Sequence, residues 1–294
     1  MNGKTVLITG GNSGIGRATA IELAKRGAHV VITARDEAKG AEAAEAIGAE
    51  SGRAVEARAL DLASFDSIRR FAEGFLRDHA ALHVLINNAG LVLSARQTTT
   101  EGLEATFGVN HVGHFLLTSL LLPRLRESAP ARIVNLSSDA HLRAKEGLDF
   151  DDLDRARRYR GFDVYSESKL ANVYFTRELA RRLEGTGVTV YAVHPGVVRT
   201  GFSLDGDTRG PVAWFFRFAG PLLRTPAQGA STSIWAATAP ELAHESGKYY
   251  KDRREAKISR PARDDAAAAR LWALSEAIVA AGGPVSARAA SAGA

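Results

Sequence analysis

Tyr165 and Lys169 are the residues of this sequence whose types and spacing point most directly to chemistry. In a helix, side chains four residues apart emerge on the same face, one turn apart. A nearby ammonium favours the phenolate, so we expect Lys169 to lower the pKa of Tyr165 from its ordinary value of about 10. Such a phenol can give or take a proton near neutral pH. A surface helix can carry the same pair without function, so the surrounding elements must decide.

The surrounding elements alternate between short apolar runs and helical patterns. This alternation predicts a parallel sheet covered on both faces, in an α/β fold with one Rossmann-type doubly wound domain. We expect that domain to span residues 1–280, and residues 281–294, which are small and lack apolar periodicity, to form a disordered tail. The predicted strands lie at residues 4–9, 28–33, 53–60, 83–87, 132–137, 188–193 and 248–250, and the predicted helices at 17–26, 38–49, 64–79, 102–126, 164–183, 227–239 and 264–280.

Composition excludes several classes of function. The chain has 294 residues, a net charge of +5 and no cysteine, which removes disulfides, thiol catalysis and cysteine zinc sites. The basic residues are dispersed, so we expect no nucleic-acid partner. The first residues already follow a strand pattern, and no apolar run reaches the roughly 18 residues that span a bilayer. We therefore expect a cytoplasmic protein without a membrane anchor.

A glycine-rich turn follows the first predicted strand, with Gly10, Gly14 and Gly16 before a helix. The spacing differs from the G-x-G-x-x-G fingerprint, but the physical role is the same. Glycines allow the backbone to approach a pyrophosphate and direct a helix N-terminus at the anion. An ATP-binding P-loop would need Lys and Ser or Thr where Arg17 and Ala18 stand, so we favour a dinucleotide over ATP and over a purely structural turn.

The end of the second strand selects between the two nicotinamide cofactors. NAD binding calls for an acidic residue about 20 positions after the glycines, which bonds the ribose 2′-hydroxyl. Here Ala34 and Arg35 stand at the strand end and Asp36 follows. A guanidinium binds phosphate oxygens in pairs, so Arg35 favours NADP(H) over NAD(H). The alternative is that Arg35 points into water while Asp36 caps the next helix.

Seven motifs in order resemble the short-chain dehydrogenase/reductase family, over residues 4 to about 200. Several details are similar to its retinol-dehydrogenase-like branch, including the run from Asn110 to Phe115 and the pair Leu271 and Trp272. The seven motifs are carried by Thr9, Gly10, Gly14, Ile15 and Gly16; Asp61 and Leu62; Asn87, Asn88, Ala89 and Gly90; Asn110; Ser137 and Ser138; Tyr165 and Lys169; and Pro195, Gly196, Val198 and Thr200.

The resemblance implies a role for each matching residue. Tyr165 is the general acid or base, and Lys169 lowers its pKa and bonds the nicotinamide ribose. Ser138 donates a hydrogen bond to the substrate oxygen, and Asn110 holds a water linked to Lys169. The cofactor-binding residues it implies, with the turn and Arg35, are Gly10, Asn12, Ser13, Gly14, Ile15, Gly16, Arg35, Asp61, Leu62, Asn88, Ala89, Gly90, Tyr165, Lys169, Pro195, Gly196, Val198 and Thr200.

Other interpretations of these residues are weaker. Asp61 could cap the following helix, and Asn87 is expected to brace the sheet. His111 and His114 stand three apart, but no third ligand is suggested, so we expect no metal site. Ser166 and Lys169 spell the S-x-x-K motif of acyl enzymes, whose further motifs are missing.

The predicted function is NADP(H)-dependent interconversion of a small hydrophobic alcohol, primary or secondary, and its aldehyde or ketone. The alternative is an NADP-binding protein that senses redox state without turnover. Residues 197–226 match the family's variable substrate loop, and their aromatic cluster at 214–218 could be a lid or a subunit contact. Relatives are often dimers or tetramers, so a homo-oligomer is an expectation.

Overall fold

Eight strands form a single sheet in the computed structural model, which describes residues 1–198 and 223–285. In spatial order they run β3-β2-β1-β4-β5-β6-β7-β8, and each neighbouring pair is parallel except β7 and β8. The strands are β1 (Thr5–Ile8), β2 (His29–Ala34), β3 (Val55–Ala59), β4 (Val84–Asn87), β5 (Ala131–Leu136), β6 (Val188–His194), β7 (Lys248–Lys251) and β8 (Arg254–Glu255).

Helices cover both faces of the sheet, as the sequence predicts. They are α1 (Gly14–Lys25), α2 (Glu37–Ser51), α3 (Phe65–Asp78), α4 (Ala105–Phe107), α5 (His114–Glu127), α6 (Gly161–Arg182), α7 (Pro226–Thr238) and α8 (Asp265–Ala281). One apolar core lies under α1, α2 and α7, and a second lies under α3, α5, α6 and α8. Central strands such as β4 are buried along their whole length, because both faces pack against helices. The predicted α/β doubly wound fold is therefore confirmed.

The structure departs most from the predicted elements at residues 102–126, where one helix was expected. The structure divides this run into α4, a π-helical segment at Gly108–Gly113 and α5. A π-helical segment shifts the hydrogen-bond pattern by one residue and often marks a functional site. Apolar periodicity does not reveal such a shift. The short antiparallel strand β8 was also not predicted, because two exposed residues carry no pattern.

The same helical run bears on the membrane prediction. Ala105–Glu127 is long and apolar enough to cross a bilayer by length and composition, with a mean hydropathy of 1.2. In the sequence this stretch is not a continuous apolar run, because polar residues such as Asn110 and His111 interrupt it. Within the fold, 83% of the 18-residue window that meets this test is buried, as in the core helix of a globular domain.

The last predicted boundary lies partly outside the described residues. Helix α8 ends at Ala281 and is followed by Gly282 in a left-handed conformation, with a φ of 70°. This glycine ends the helix because such a conformation costs it little. The predicted tail begins here, but residues 286–294 lie outside the described part, as do residues 199–222 of the predicted substrate loop.

Four buried polar side chains connect two strands and two helices beneath the carboxyl edge of the sheet. Asn87 Nδ2 on β4 donates to Asn135 Oδ1 on β5 over 2.8 Å, and also to Thr118 Oγ1. Asn135 Nδ2 in turn donates to Thr176 Oγ1 on α6 over 2.9 Å. Buried polar groups need such partners, since an unpaired one is costly. Asn87 therefore braces the sheet, as the sequence analysis expects.

We predict that Asn87→Ala lowers the free energy of unfolding by about 1–3 kcal/mol, because it leaves Asn135 and Thr118 with an unpaired buried group. Urea denaturation of the variant and the parent measures this difference. An exposed amide such as Gln97→Ala serves as the control and is expected to change stability by less than about 0.5 kcal/mol. Equal midpoints for parent and Asn87→Ala would show that this network does not stabilise the sheet.

Candidate active site

The glycine turn between β1 and α1 packs closely against the segment after β4. Asn88 Nδ2 donates to the Thr9 carbonyl over 2.8 Å and to the Gly10 carbonyl over 3.2 Å. Gly10 has a φ of 63°, and a Cβ on Gly16 would overlap the Gly10 carbonyl oxygen. Glycine is required at both positions, at the first for the backbone conformation and at the second for space. The turn is thus tied directly to the predicted cofactor-lining residue Asn88.

Helix α1 begins directly after the turn and offers the amide groups that an anion needs. Its N-cap is Ser13, whose side chain makes no capping bond to the first turn. The first amides of a helix have no partner within the helix and form a favourable site for phosphate. Ile15 and Val198 both lie beside Gly229 on α7, where a Cβ would come 3.2 Å from Ile15 Cγ1 and 2.6 Å from Val198 Cγ2. Asn12 is half-buried beside them. Binding of a pyrophosphate at this turn stays a prediction.

Arg35 and Asp36 lie where β2 ends at the same edge of the sheet. The side chain of Arg35 is exposed. Asp36 caps α2, because its carboxylate accepts a hydrogen bond from the Lys39 amide over 3.0 Å. The capping part of the alternative interpretation is therefore correct, and it is compatible with Arg35 binding a phosphate at the edge of the site.

Asp61 and Leu62 follow β3. The carboxylate of Asp61 accepts from the Ala63 amide over 2.9 Å, while Ser64 provides the side-chain cap of α3. Asp61 therefore does not cap that helix. Leu62 is buried, and its backbone lies against Gly113 of the π-helical segment. The pair connects the cofactor edge with the segment that carries Asn110.

Asn110 lies within the π-helical segment and is fully buried. Its carboxamide forms two hydrogen bonds with Leu91: Oδ1 accepts from the amide over 2.8 Å, and Nδ2 donates to the carbonyl over 2.9 Å. Nδ2 also donates to Ser168 Oγ on α6 over 3.0 Å. Gly90 brings Asn110 close to Lys169, since a Cβ there would lie 3.1 Å from Asn110 Oδ1 and 3.4 Å from Lys169 Nζ.

Lys169 carries a buried amine at the centre of the site. Only 4% of the residue is exposed, and Nζ donates to the Leu136 carbonyl at the end of β5 over 3.1 Å. Burial lowers the pKa of Lys169 to about 8, because the charged form loses its hydration. Nζ lies 5.5 Å from the centre of the Tyr165 ring. The helical spacing predicted from the sequence therefore brings the two side chains together.

Tyr165 and Ser138 form the other half of the site. The two hydroxyl groups are hydrogen-bonded to each other. Ser138 Oγ also accepts from the Ala140 amide over 3.1 Å and caps a short 3-10 helix at Asp139–Arg143. Ser138 therefore caps the 3-10 helix that follows β5 and also contacts Tyr165.

The electrostatics of Tyr165 differ from the sequence-based expectation. Burial raises its pKa to about 12, and the hydrogen bond from Ser138 opposes this only partly. The loss of hydration on burial disfavours the charged phenolate. In this structure the phenol therefore holds its proton at neutral pH, and the predicted lowering by Lys169 does not dominate.

The sequence matches the short chain dehydrogenase family over residues 4–149 and 154–207. The chain is 51% identical to retinol dehydrogenase 12 of Mus musculus over 276 residues, which cover 93% of this chain and 85% of the mouse protein. The chain belongs to the short-chain dehydrogenase/reductase family. Retinol dehydrogenase 13 of Homo sapiens is 46% identical over 288 residues, covering 94% of this chain and 85% of the human protein.

Solved structures agree with this assignment. An uncharacterized protein from Mycobacterium paratuberculosis is 38% identical, with a TM-score of 0.76, over 95% of this chain and 94% of that one. The Pseudomonas aeruginosa RhlG/NADP complex is 29% identical, with a TM-score of 0.68, over 86% of this chain and 95% of that one. The chain is thus a short-chain dehydrogenase of the retinol-dehydrogenase-like branch, an oxidoreductase that acts on CH–OH donors with a nicotinamide cofactor.

The segment after β6 carries further residues that are predicted to bind the cofactor of this short-chain dehydrogenase. Gly196, which follows Pro195, has a φ of 85°, and the side chain of Arg224 packs against its Cα. Arg224 is held there by Asp252, over 2.6 Å between Nη1 and Oδ1. Sequence reasoning missed Arg224, because nothing in its neighbourhood resembles a motif. Thr200 lies outside the described residues, so its predicted contact stays a prediction.

A polar cluster directly behind Ser138 was also missed. Asp139 accepts a hydrogen bond from Tyr249 Oη over 2.8 Å and pairs with Lys251 Nζ over 2.6 Å, both on β7. His194 at the end of β6 lies 3.5 Å from the same carboxylate. Asp139 and Tyr249 are 110 positions apart, so no local pattern could have joined them. The cluster fixes β7 against the loop that carries Ser138.

The alternative chemistry of Ser166 is not supported by its geometry. Ser166 is buried, and its hydroxyl donates to the Phe162 carbonyl one turn earlier over 2.7 Å. The described residues contain one group with three metal-ligand atoms within 4.8 Å, formed by His29, Glu56 and His79. The guanidinium of Arg58 bonds both Glu56 and His79 and supplies a cation to this group. The expectation of no metal site stays a prediction.

We predict that Lys169 makes the protein more stable as the pH rises from about 8 to 10. Its pKa is lower in the folded chain, about 8, than the ordinary 10.5. The unfolded chain therefore binds more protons between these values, and stability rises with pH there, by up to about 1.4 kcal/mol per pH unit. Urea denaturation of the parent and of Lys169→Met measures the effect. Tyr165, with its raised pKa, acts in the opposite direction only above its ordinary value of 10.0.

The quantity to compare is the difference in unfolding free energy between parent and variant at each pH. The unfolding free energy of the parent minus that of the variant should rise from pH 8 to 10 and stay constant below pH 7. A difference that does not change over the whole range would show that Lys169 keeps its ordinary pKa in the fold.

Proposed function

We propose that the protein is an NADP(H)-dependent oxidoreductase that interconverts a small hydrophobic alcohol and its aldehyde or ketone. The observation that carries this proposal is the hydrogen bond between Tyr165 and Ser138, with the buried amine of Lys169 against the Tyr165 ring. All three side chains lie at the carboxyl edge of the sheet, beside the glycine turn. Ligands of doubly wound sheets bind at this edge.

Tyr165 and Ser138 act directly on the substrate oxygen. A bound nicotinamide would supply hydride to the carbonyl carbon, or accept it in the reverse direction. Tyr165 gives its proton to the oxygen in reduction and takes it back in oxidation. Ser138 donates a hydrogen bond to the same oxygen and so stabilises the charge that develops there. The raised pKa of Tyr165 suits its role as proton donor, because the phenol is fully protonated at neutral pH.

Lys169 and Asn110 act on the reaction indirectly, through the cofactor and through Tyr165. The Lys169 amine, with a pKa lowered to about 8, can exchange protons close to neutral pH. Asn110 Oδ1 and Lys169 Nζ both lie against Gly90, where the water implied by the family resemblance would join them. We assign Asn110 and Lys169 to cofactor orientation and to renewal of the Tyr165 proton.

An apolar substrate is supported by the surface around the site. In the described ranges, the large hydrophobic side chains that stand out as exposed are Leu142, at 44%, and Val197, at 49%. Leu142 follows Ser138 on the 3-10 helix, and Val197 follows Gly196 at the cofactor edge. Both residues follow segments that carry predicted site residues, and exposed apolar side chains near a site favour an apolar ligand. The similar retinol dehydrogenases are named for a hydrophobic primary alcohol.

NADP(H) is supported over NAD(H) by the exposed guanidinium of Arg35 at the end of β2. The structurally similar RhlG of Pseudomonas aeruginosa is described as a complex with NADP. The cytoplasmic location, the single domain at 1–280 and the homo-oligomer stay predictions. The aromatic cluster at 214–218 lies outside the described residues, so its role as lid or subunit contact stays open.

The test of the activity is a spectrophotometric screen of the purified protein with NADPH and NADH against apolar aldehydes and ketones. We expect turnover by the parent and a loss of about 10²–10⁴-fold in kcat for Tyr165→Phe, because the proton donor is removed. Tyr174→Phe is a matched control on the same helix, since it also removes one buried hydroxyl, which bonds the Pro261 carbonyl.

Three outcomes are informative in this screen. Turnover that is lost in Tyr165→Phe and kept in Tyr174→Phe supports the proposal. Equal rates for Tyr165→Phe and the parent would refute the role of the phenol. Tight NADPH binding without turnover of any carbonyl would favour the redox-sensing alternative.

The test of cofactor preference is Arg35→Asp. We expect the ratio of kcat/KM for NADPH to that for NADH to fall by about 10- to 100-fold, because a charge-assisted bond to the 2′-phosphate is replaced by repulsion. Arg53→Asp makes the same change of charge on the exposed surface before β3 and should leave the ratio unchanged. An unchanged ratio in Arg35→Asp would remove Arg35 from cofactor selection.

A further inference from the structure

His114 is a buried histidine with two well-placed partners at the junction of the π-helical segment and α5. One ring nitrogen, Nδ1, lies 3.2 Å from the Asn110 carbonyl oxygen. The other, Nε2, lies 2.9 Å from Thr9 Oγ1 at the end of β1. Asn110 belongs to the catalytic group and Thr9 to the cofactor-binding turn, so a single imidazole spans the distance between the two.

The partners determine which nitrogen carries the proton. A backbone carbonyl can only accept a hydrogen bond, so Nδ1 must be the protonated nitrogen. Nε2 is then an acceptor, and the Thr9 hydroxyl must donate to it. Burial lowers the pKa of His114 to about 4, so the ring keeps this neutral form at working pH. The imidazole therefore donates toward Asn110 and accepts from Thr9.

The Thr9 hydroxyl is fully used in this arrangement. Its oxygen accepts from the amides of Asn88 over 2.9 Å and Ala89 over 3.0 Å, two residues that line the predicted cofactor site. Its hydrogen goes to His114, since the Ile86 carbonyl, at 3.5 Å, is a poor acceptor by distance. With its hydrogen directed at His114, the hydroxyl presents both lone pairs to the two amides. The imidazole thereby orients the cofactor-binding segment.

The Asn110 carbonyl depends on His114 because of the π-helical segment. In an α-helix the His114 amide would donate to the Asn110 carbonyl, four residues earlier. Here that amide donates to the His111 carbonyl instead. The imidazole donates to the Asn110 carbonyl and so holds the backbone of Asn110 in the position from which its carboxamide reaches Leu91 and Ser168.

We propose that His114 is a positioning residue whose two ring nitrogens do separable work: Nε2 orients the cofactor-binding turn through Thr9, and Nδ1 holds the catalytic Asn110. The proposal rests on the oxidoreductase function proposed above. Nε2 then governs cofactor affinity, and Nδ1 governs the rate of the chemical step.

Two substitutions separate the two nitrogens. His114→Asn places an amide donor near the position of Nδ1 and leaves Thr9 without an acceptor. His114→Gln reaches the position of Nε2 with an amide oxygen and removes the imidazole donor from the Asn110 carbonyl. The dissociation constant of NADPH, from fluorescence titration, and kcat with a carbonyl substrate from the screen are measured for each, together with the thermal midpoint.

We expect His114→Asn to raise the NADPH dissociation constant by about tenfold and to keep kcat within about threefold of the parent. We expect His114→Gln to do the reverse, with kcat lowered by about tenfold and the dissociation constant nearly unchanged. Thr9→Val should weaken NADPH binding like His114→Asn, and Thr9→Ser, which keeps the hydroxyl, should restore it. These Thr9 variants decide the cofactor half of the proposal if a His114 variant fails to fold.

His111→Gln is the matched control, since His111 is equally buried in the same segment and bonds Ser275 on α8. It should lower the thermal midpoint without separating affinity from rate. If His114→Asn and His114→Gln change both constants by the same factor, in step with their thermal midpoints, His114 is merely structural and the proposal fails. Equal NADPH binding by Thr9→Val and Thr9→Ser would also overturn it. NADPH binding is read without turnover, so failure of this proposal can be told apart from failure of the proposed activity.

Discussion

The burial of an amine and a phenol next to each other is the constraint on which the site depends. Lowering the pKa of Lys169 from 10.5 to about 8 corresponds to about 3 kcal/mol of lost hydration, a substantial fraction of the stability of a typical domain. The same burial raises the pKa of Tyr165 to about 12. The protein holds a costly pair of groups in place, and the surrounding structure has to compensate for them.

The fold meets this cost by placing each group on a different rigid element. Helix α6 presents Tyr165 and Lys169, β5 supplies the Leu136 carbonyl that accepts from Lys169, and the loop after β5 supplies Ser138. Because the strands are parallel, their carboxyl ends meet at one edge, where these groups and the glycine turn converge. The π-helical segment adds Asn110 from a further direction, and its irregular backbone is stabilised by the side chain of His114.

Much of this arrangement could be predicted from the sequence. Apolar runs and helical periodicity gave the doubly wound sheet, and the spacing of Tyr165 and Lys169 placed them on one face of α6. The glycine turn and the role of Asn87 followed from local chemistry. These features depend on neighbours in the chain, which is why pattern reasoning reaches them.

The remainder depends on contacts between distant segments. The π-helical shift changes hydrogen-bond partners without changing apolar periodicity. For this reason the pattern at 102–126 predicted one continuous helix. The sign of the Tyr165 pKa shift was predicted from one neighbouring charge, but it is decided by burial among elements that pack only in the fold. Arg224 and the cluster around Asp139 join residues far apart in the chain. Their partners carry no shared motif.

The most direct test of the account is the ionisation of Tyr165 itself, read as tyrosinate absorbance during a pH titration of the parent minus that of Tyr165→Phe. Without cofactor, we expect no ionisation of Tyr165 below about pH 10, because burial outweighs the nearby amine. With NADP⁺ added, whose positive ring favours the phenolate, the ionisation should move to lower pH. Ionisation of Tyr165 near neutral pH without cofactor would contradict the account, as would a titration that NADP⁺ does not shift.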